Sequence, residues 1–161
     1  MGRILTDQPS TGKPIVLAVA AFVPTAWTTI AEAPDFSIPA TGDEGVTVDP
    51  ADVDRELRPG EVFIESPLIA TNLTATTRWV EAQIILQGTS GSEIVVAPRI
   101  PVPPNTSVYL PIQGLRLLKT DLTTTVGGRL QVRAEVVDAI KIYGSAVELE
   151  AATHEPNTEA L

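Results

Sequence analysis

The chain has 161 residues, of which 43% are hydrophobic but only 4% aromatic, and its formal net charge is −9. It contains no cysteine, which excludes a disulfide framework and a thiolate metal site. The acidic balance also argues against a nucleic-acid groove, because phosphate binding needs clustered Lys and Arg. One main domain is expected, since a domain of about 150 residues buries roughly 70% of its unfolded surface.

The N-terminal segment carries an apolar stretch, residues 15–23, that ends at Pro24. Basic residues ahead of this stretch and a small-x-small triplet at 31–33 are also features of a secretory signal, which stays open as an alternative. A membrane span is disfavoured, because it needs about 20 apolar residues. We expect an extended N-terminal arm that docks on a neighbour, or a buried strand. The candidate interface residues in it are Ile15, Val16, Leu17, Phe22 and Trp27.

Acidic residues are concentrated in the next segment, since ten of the twenty lie in residues 31–65. Asp49 is suited to cap a helix, Pro50 to begin it, and Arg55 to lie near its end. The sequence therefore predicts an acidic loop region with one short helix near residues 50–57. Carboxylates here could alternatively bind a cation, although the spacing is not that of an EF-hand loop. The candidate interface residues in this segment are Asp49, Asp52, Asp54 and Glu56.

Strand patterns dominate the rest of the chain, where branched residues alternate with polar ones between frequent glycines and prolines. In residues 78–88, Val80, Ala82 and Ile84 share one face while Glu81 and Gln83 share the other. Residues 130–134 alternate in the same way. The turn sequence at 88–92 then predicts a hairpin. In the last strand, Ile140 and Ile142 alternate out of phase with Val147 and Leu149. A bulge at Gly144 and Ser145 would place all four on one face.

This pattern of seven or eight short strands predicts an all-β fold, a β-sandwich of jelly-roll-like type. We divide the chain into an N-terminal arm and acidic loop region (1–60), the sandwich domain (61–150) and a polar C-terminal tail (151–161). The prolines at 98 and 101 suit an edge strand, because proline donates no ladder hydrogen bond.

Residues suited to catalysis are scarce. The single histidine, His154, lies in the polar tail without a partner base or nucleophile in the pattern. The Trp and Tyr residues are few and separated in sequence, which argues against a stacking platform. We therefore assign no catalytic, cofactor-binding or metal-binding residue and predict that the protein is not an enzyme.

Three stretches resemble a recurring layout in small bacteriophage virion proteins. They are VFIESPLIATNLTATTRWVEAQIIL (62–86), IPVPPNTSVYLPIQGLRLL (100–118) and GGRLQVRAEVVDAIKIYGSAVEL (127–149). The shared features are a strand pair around an N-x-T sequence, a P-N-T turn into a strand, and a glycine-led strand pair that closes on GSAVE. The resemblance covers residues 61–150, and the first 60 residues are outside it.

The resemblance implies a virion structural protein that binds other coat subunits in many copies, and no active site. A capsid decoration or cement protein, bound to the major capsid protein, is the first expectation. A neck, tail or fibre component, or a receptor- or glycan-binding module, is the alternative. Neither a nucleic acid nor a membrane is expected as a partner.

Overall fold

The computed structural model describes residues 12–19, 21–39, 55–86, 93–119 and 126–150, and for 36–39, 55–58 and 150 it describes the backbone alone. Within these described residues the chain forms eleven strands. They are β1 (Lys13–Ala18), β2 (Thr28–Glu32), β3 (Asp35–Pro39), β4 (Arg55–Ile64), β5 (Leu68–Asn72), β6 (Arg78–Ile85), β7 (Glu93–Val102), β8 (Ser107–Leu110), β9 (Arg116–Leu118), β10 (Arg129–Ala134) and β11 (Ile140–Glu150). The described part of the chain contains no helix, and the fold is all-β.

The strands form two antiparallel sheets. The larger sheet has seven strands in the order β3-β4-β11-β5-β8, with β1 beside β11 and β9 beside β4. The smaller sheet has four strands in the order β2-β10-β6-β7. Between β7 and β8 the chain passes from the smaller sheet to the larger through a tight turn, in which Asn105 has a φ of 51°. Asn is one of the few residues that adopt this conformation at low cost.

One hydrophobic core lies between the two sheets, which makes the fold β-sandwich-like. From the larger sheet it receives Leu17, Ile64, Leu68, Leu110 and Ile140, and from the smaller sheet Val80, Val102, Leu130 and Val132, all fully buried. The predicted alternation is confirmed in β10, where the buried positions recur at every second residue. In β6, Val80 and Ala82 are buried in the core and Ile84 packs against it, but Glu81, Gln83 and Ile85 are buried as well. We call the sheet surfaces that face away from this core the outer faces.

The predicted N-terminal arm forms strands over much of its described length. β1 pairs with β11 along all six of its residues, and Leu17 is completely buried. β2 is an edge strand of the smaller sheet, and β3 pairs with β4 in the larger. Apolar residues in this segment thus contribute to the core of the same chain, because pairing with β11 buries them there.

The helix predicted near residues 50–57 is wrong for its last three residues. β4 begins at Arg55, and Glu56 and Leu57 pair with Ile38 and Ser37 of β3. A helix of two turns has little stability of its own, so cross-strand pairing outweighs the local capping signals. Residues 50–54 lie outside the described part, as does the hairpin turn predicted at 88–92. The jelly-roll connectivity stays a prediction.

The bulge predicted at Gly144 and Ser145 is also wrong. β1 pairs with β11 without interruption from Lys13 opposite Glu148 to Ala18 opposite Tyr143. The irregularity lies in the partner strands instead, because β4 ends and β5 begins opposite this point of β11. Gly144 is buried there, and a Cβ atom added to it would lie 3.0 Å from Leu68 Cδ1. The glycine makes room for the core side chains of the neighbouring strands.

Candidate interaction surfaces

The outer face of the larger sheet carries a row of four cross-strand neighbours, which we call the tyrosine row. Ala18 in β1 lies opposite Tyr143 in β11, Tyr143 opposite Ile69 in β5, and Ile69 opposite Tyr109 in β8. Directly opposed side chains on one face have Cβ atoms about 4.5–5.5 Å apart. The two rings are prominent, since Tyr109 is 71% exposed and Tyr143 is 58% exposed. This row joins residues from four separate parts of the chain.

The orientation of the row follows from strand alternation. Ile142, Leu68 and Leu110 are buried in the core, and each is a direct neighbour of a row member in sequence. Successive side chains of a strand face opposite sides of the sheet, so burial of these residues directs the row outward. Val16 of β1, two residues before Ala18, also faces outward and is 61% exposed.

Hydroxyl pairs lie on both sides of the tyrosine row. On one side Thr71 Oγ1 and Ser107 Oγ are 2.7 Å apart. On the other, the Ser145 hydroxyl donates to Ser66 Oγ at 3.1 Å, and the Ser66 hydroxyl oxygen accepts the Ser145 N–H at 2.9 Å. These groups bond to one another within the sheet, so they add polarity to the surface but satisfy much of their own hydrogen-bonding capacity.

Charged residues on this face lie towards its ends. Lys141 is exposed, with Nζ 5.2 Å from the centroid of the Phe22 ring. Arg116 is also exposed; its Cζ lies 5.4 Å from the centroid of Phe63, and its Nη1 is 3.5 Å from Oε1 of Glu61. Glu61 itself is only 2% exposed. Among the described residues, the exposed charges at the outward positions of β9 and β11 are therefore both positive, although the chain as a whole is acidic.

The outer face of the smaller sheet carries a different cluster, in which tryptophan and arginine side chains alternate. Arg133 Cζ lies 4.6 Å from the ring centroid of Trp27 and 5.8 Å from that of Trp79, and Arg99 Cζ lies 4.9 Å from Trp79. Arg133 Nε donates to the carboxylate of Glu81. Guanidinium groups stack favourably on indole rings. The cluster covers Glu81, which is consequently 7% exposed although it points away from the core.

A hydrogen-bonded ladder continues this outer face. Gln83 Nε2 donates to Gln131 Oε1 at 2.9 Å, and Gln131 Nε2 donates to Thr29 Oγ1 at 3.2 Å. These three residues are direct cross-strand neighbours on β6, β10 and β2. Gln83 was predicted to point outward and does so, but its amide is buried by the ladder.

The structure separates the apolar residues predicted as one interface. Leu17 is in the core and Ile15 packs against it, whereas Val16 faces outward on the larger sheet. Phe22 is half-buried under Lys141, and Trp27 is half-buried on the smaller sheet. Only the backbone of Glu56 is described, as part of β4. Asp49, Asp52 and Asp54 lie outside the described residues.

Sequence reasoning missed the tyrosines and the pairing of the two tryptophans. The tyrosines had a usable signal, because Tyr109 and Tyr143 stand at positions that alternate with buried aliphatic residues. Their separation along the chain concealed the row. The structure brings the two Tyr together on one outer face and the two Trp together on the other. The expectation that they form no stacking platform stays a prediction.

The described residues include no group of three or more His, Asp or Glu side chains placed to hold a metal ion. Within the same part of the chain, no helix has the length and apolarity to cross a membrane. No family model, curated protein or solved structure matches the chain.

Proposed function

We propose that the chain is a non-enzymatic structural protein of a virion, and that it binds other coat subunits in many copies. The observation that carries this proposal is the exposed tyrosine row on the outer face of the larger sheet. Exposed apolar patches of a few hundred Å² on a soluble protein commonly mark interaction sites, and tyrosine is enriched at protein interfaces. The resemblance of residues 61–150 to small phage virion proteins supports the same function.

Within the virion, capsid decoration is the first candidate. A cement protein must present a stable surface to joints between coat subunits, and a sandwich with one shared core supplies a rigid scaffold for that surface. We include a jelly-roll-like connectivity in this proposal. The predicted partners are the major capsid protein or neck and tail proteins, and neither nucleic acid nor membrane.

Binding to particles assembled without the protein tests this function. The purified protein is mixed with such particles, and the pellet after sedimentation is analysed for its composition. We expect saturable co-sedimentation, with a copy number close to that of the coat subunit for a decoration protein. A low, fixed copy number would indicate a neck or tail position instead. A protein that remains in the supernatant at all concentrations would contradict the virion role.

A receptor- or glycan-binding module is the second candidate, and the same two tyrosines favour it. Exposed aromatic rings can stack on the apolar faces of sugars as well as on protein side chains. Capture of a defined glycan on an array by the wild-type protein, without any binding to particles, would favour this alternative.

A further inference from the structure

We propose that the outer face of the larger sheet is the docking surface of this protein, and that its occupant is a protein patch with an apolar centre and carboxylates at its ends. This inference rests on the proposed function and adds the face that is used and the chemistry of the partner. We call the surface formed by the tyrosine row, Val16, Lys141 and Arg116 the docking face.

The centre of the docking face is apolar and exposed. Tyr109, Tyr143 and Val16 are each more than half exposed, and Ile69 lies between the two rings. The rings bring large contact areas at a small cost in side-chain entropy, because tyrosine has two flexible torsions. Desolvation of such residues provides much of the affinity at protein interfaces. The partner should therefore be apolar where it meets the tyrosine row.

The ends of the docking face are basic. Lys141 lies beyond the row on one side, and Arg116 lies on the other, next to Phe63, which pairs with Val147. The seven residues of β11 from 141 to 147 are separated by six steps of about 3.4 Å and so span about 20 Å. Glu61 is buried. The exposed acids described near these ends, Glu65 between β4 and β5 and Asp138 between β10 and β11, lie in links rather than on strands. Complementarity therefore requires carboxylates on the partner about 20 Å apart.

The dimensions of the face suit a protein rather than a small ligand. Four strands at about 4.8 Å spacing give a width of about 14 Å, and the outward positions of β11 from 141 to 149 give a length of about 27 Å. The resulting flat area, about 400 Å², is about half of what one partner contributes to a standard protein interface. The face is thus large enough to form the central part of such an interface.

A protein occupant is also favoured over a glycan by the polar groups of the face. A sugar needs free donors and acceptors beside the aromatic rings, yet the hydroxyls of Thr71 and Ser107 bond to each other, as do those of Ser66 and Ser145. Val16 offers no hydrogen bond at all. A patch of aliphatic side chains would match this surface better than a ligand rich in hydroxyl groups.

The aromatic residues of the chain can report which outer face a partner covers. It has two tyrosines, both on the docking face, and two tryptophans, both in the Trp–Arg cluster on the opposite outer face. Nitration with tetranitromethane reports the first pair, and oxidation with N-bromosuccinimide reports the second. Both modifications are measured by mass spectrometry on free protein and on protein bound to particles assembled without it.

We expect binding to protect Tyr109 and Tyr143 while the reactivity of Trp27 and Trp79 stays the same. Tyr143→Ala is expected to weaken the affinity for the particles at least about tenfold, as truncation of a central interface aromatic typically does. Lys141→Glu is also expected to weaken the affinity for the particles. Its effect should be larger at low salt than at high salt, because surface charges are least screened at low salt. The control Val137→Ala, at a 64% exposed residue in the turn between β10 and β11, should leave the affinity within about twofold.

The outcomes separate this inference from the proposed function. Wild-type protein that binds particles with both tyrosines still reactive, or with the tryptophans protected instead, overturns the docking face and leaves the virion role standing. Wild-type protein that fails to bind particles overturns both. Capture of a glycan that Tyr143→Ala abolishes would show that the face accepts a sugar, and would overturn the protein partner.

Discussion

Asn72 joins the two sheets through its side chain. It ends β5 in the larger sheet, and its Nδ2 donates to the carbonyl oxygen of Val102 in β7 of the smaller sheet at 2.9 Å and to that of Thr76 at 2.7 Å. Its Oδ1 accepts from the N–H and the hydroxyl of Thr74 at 2.9 and 2.8 Å. The residue is fully buried. Its bond to Val102 is buried as well, whereas those to Thr74 and Thr76 are partly buried.

Asn72→Ala is expected to lower the free energy of unfolding by about 3 kcal/mol, because it leaves buried backbone groups without partners. Gln113→Ala is the control, since the Gln113 amide also donates to a backbone carbonyl, that of Glu65, but at an exposed position. Water replaces that bond, and the expected loss is about 0.5 kcal/mol. Urea titrations of both variants measure the difference, and equal losses would show that burial of Asn72 is unimportant.

Arg133 stabilises the outer face of the smaller sheet by two contacts at once. Its Nε donates to Glu81, and its guanidinium carbon lies over the ring of Trp27 at 4.6 Å and that of Trp79 at 5.8 Å. A planar group with donors at its edge can satisfy both contacts, whereas the ammonium group of lysine cannot. The identity of this residue therefore matters more than its charge.

Arg133→Lys is expected to cost about 1–2 kcal/mol of folding free energy, from the lost stacking and the weakened bond to Glu81. The matched control is Arg99→Lys. Arg99 also lies over the Trp79 ring, but its side chain is 67% exposed and its Nε is 3.9 Å from Glu81. Its replacement should therefore cost less, about 0.5 kcal/mol. Denaturant unfolding followed by tryptophan fluorescence compares them. A larger loss for Arg99→Lys would contradict the central position of Arg133.

β1 shows how an element can be folded into a sheet although its sequence also suits an arm. Its pattern is short and apolar, and a strand of six residues has no stability alone. Pairing with β11 changes this, because it buries Leu17 beside Gly144 and satisfies the backbone groups along β11. The segment is therefore an integral strand of the larger sheet.

Leu17→Ala is expected to destabilise the protein by about 3 kcal/mol, from lost burial and the cavity left in the core. Val16→Ala, one residue earlier on the outward side of the same strand, should change stability by less than about 0.5 kcal/mol. Thermal unfolding of the two variants distinguishes a paired strand from a free arm. If β1 were an arm, the two substitutions would have similarly small effects.

The elements also show which local signals can be trusted. The alternation of Leu130, Val132 and Ala134 identifies β10 from sequence, because the period of two follows from backbone geometry. The capping signals around Asp49 predict a helix that is wrong from Arg55 onward. A cap adds about 1 kcal/mol, and pairing with β3 over five residues outweighs it. A local sequence signal therefore predicts the correct secondary structure only where strand pairing in the folded protein favours the same conformation.

At the scale of the whole molecule, the two sheets share one core. Backbone hydrogen bonds also join segments outside the regular ladders, as from the Val23 N–H to the Ile140 carbonyl oxygen at 2.8 Å and from the Ala33 N–H to that of Gly128 at 2.9 Å. A sheet separated from this core would expose the apolar face that the other sheet covers. Neither sheet is therefore expected to stay folded without the other.

We expect a single cooperative unfolding transition, with the same midpoint for both sheets. Tryptophan fluorescence in urea reports the smaller sheet, because Trp27 and Trp79 both lie on its outer face. Far-ultraviolet circular dichroism reports the strands of both sheets. Coincident curves are expected for a shared core, and a fluorescence curve displaced from the dichroism curve would show that one sheet unfolds independently.

By itself, the sequence determined that the fold is all-β and which side chains of β10 face the core. Both depend on local properties: β-branched residues, turn residues and the alternation of apolar and polar residues at every second position. Only the tertiary structure decided which outward residues are neighbours. Tyr109 and Tyr143 share a row because β5 pairs with both β8 and β11, and Trp27 meets Trp79 across Arg133 of β10. Strand neighbours are selected by burial of the whole core, and a single segment of sequence does not contain that information.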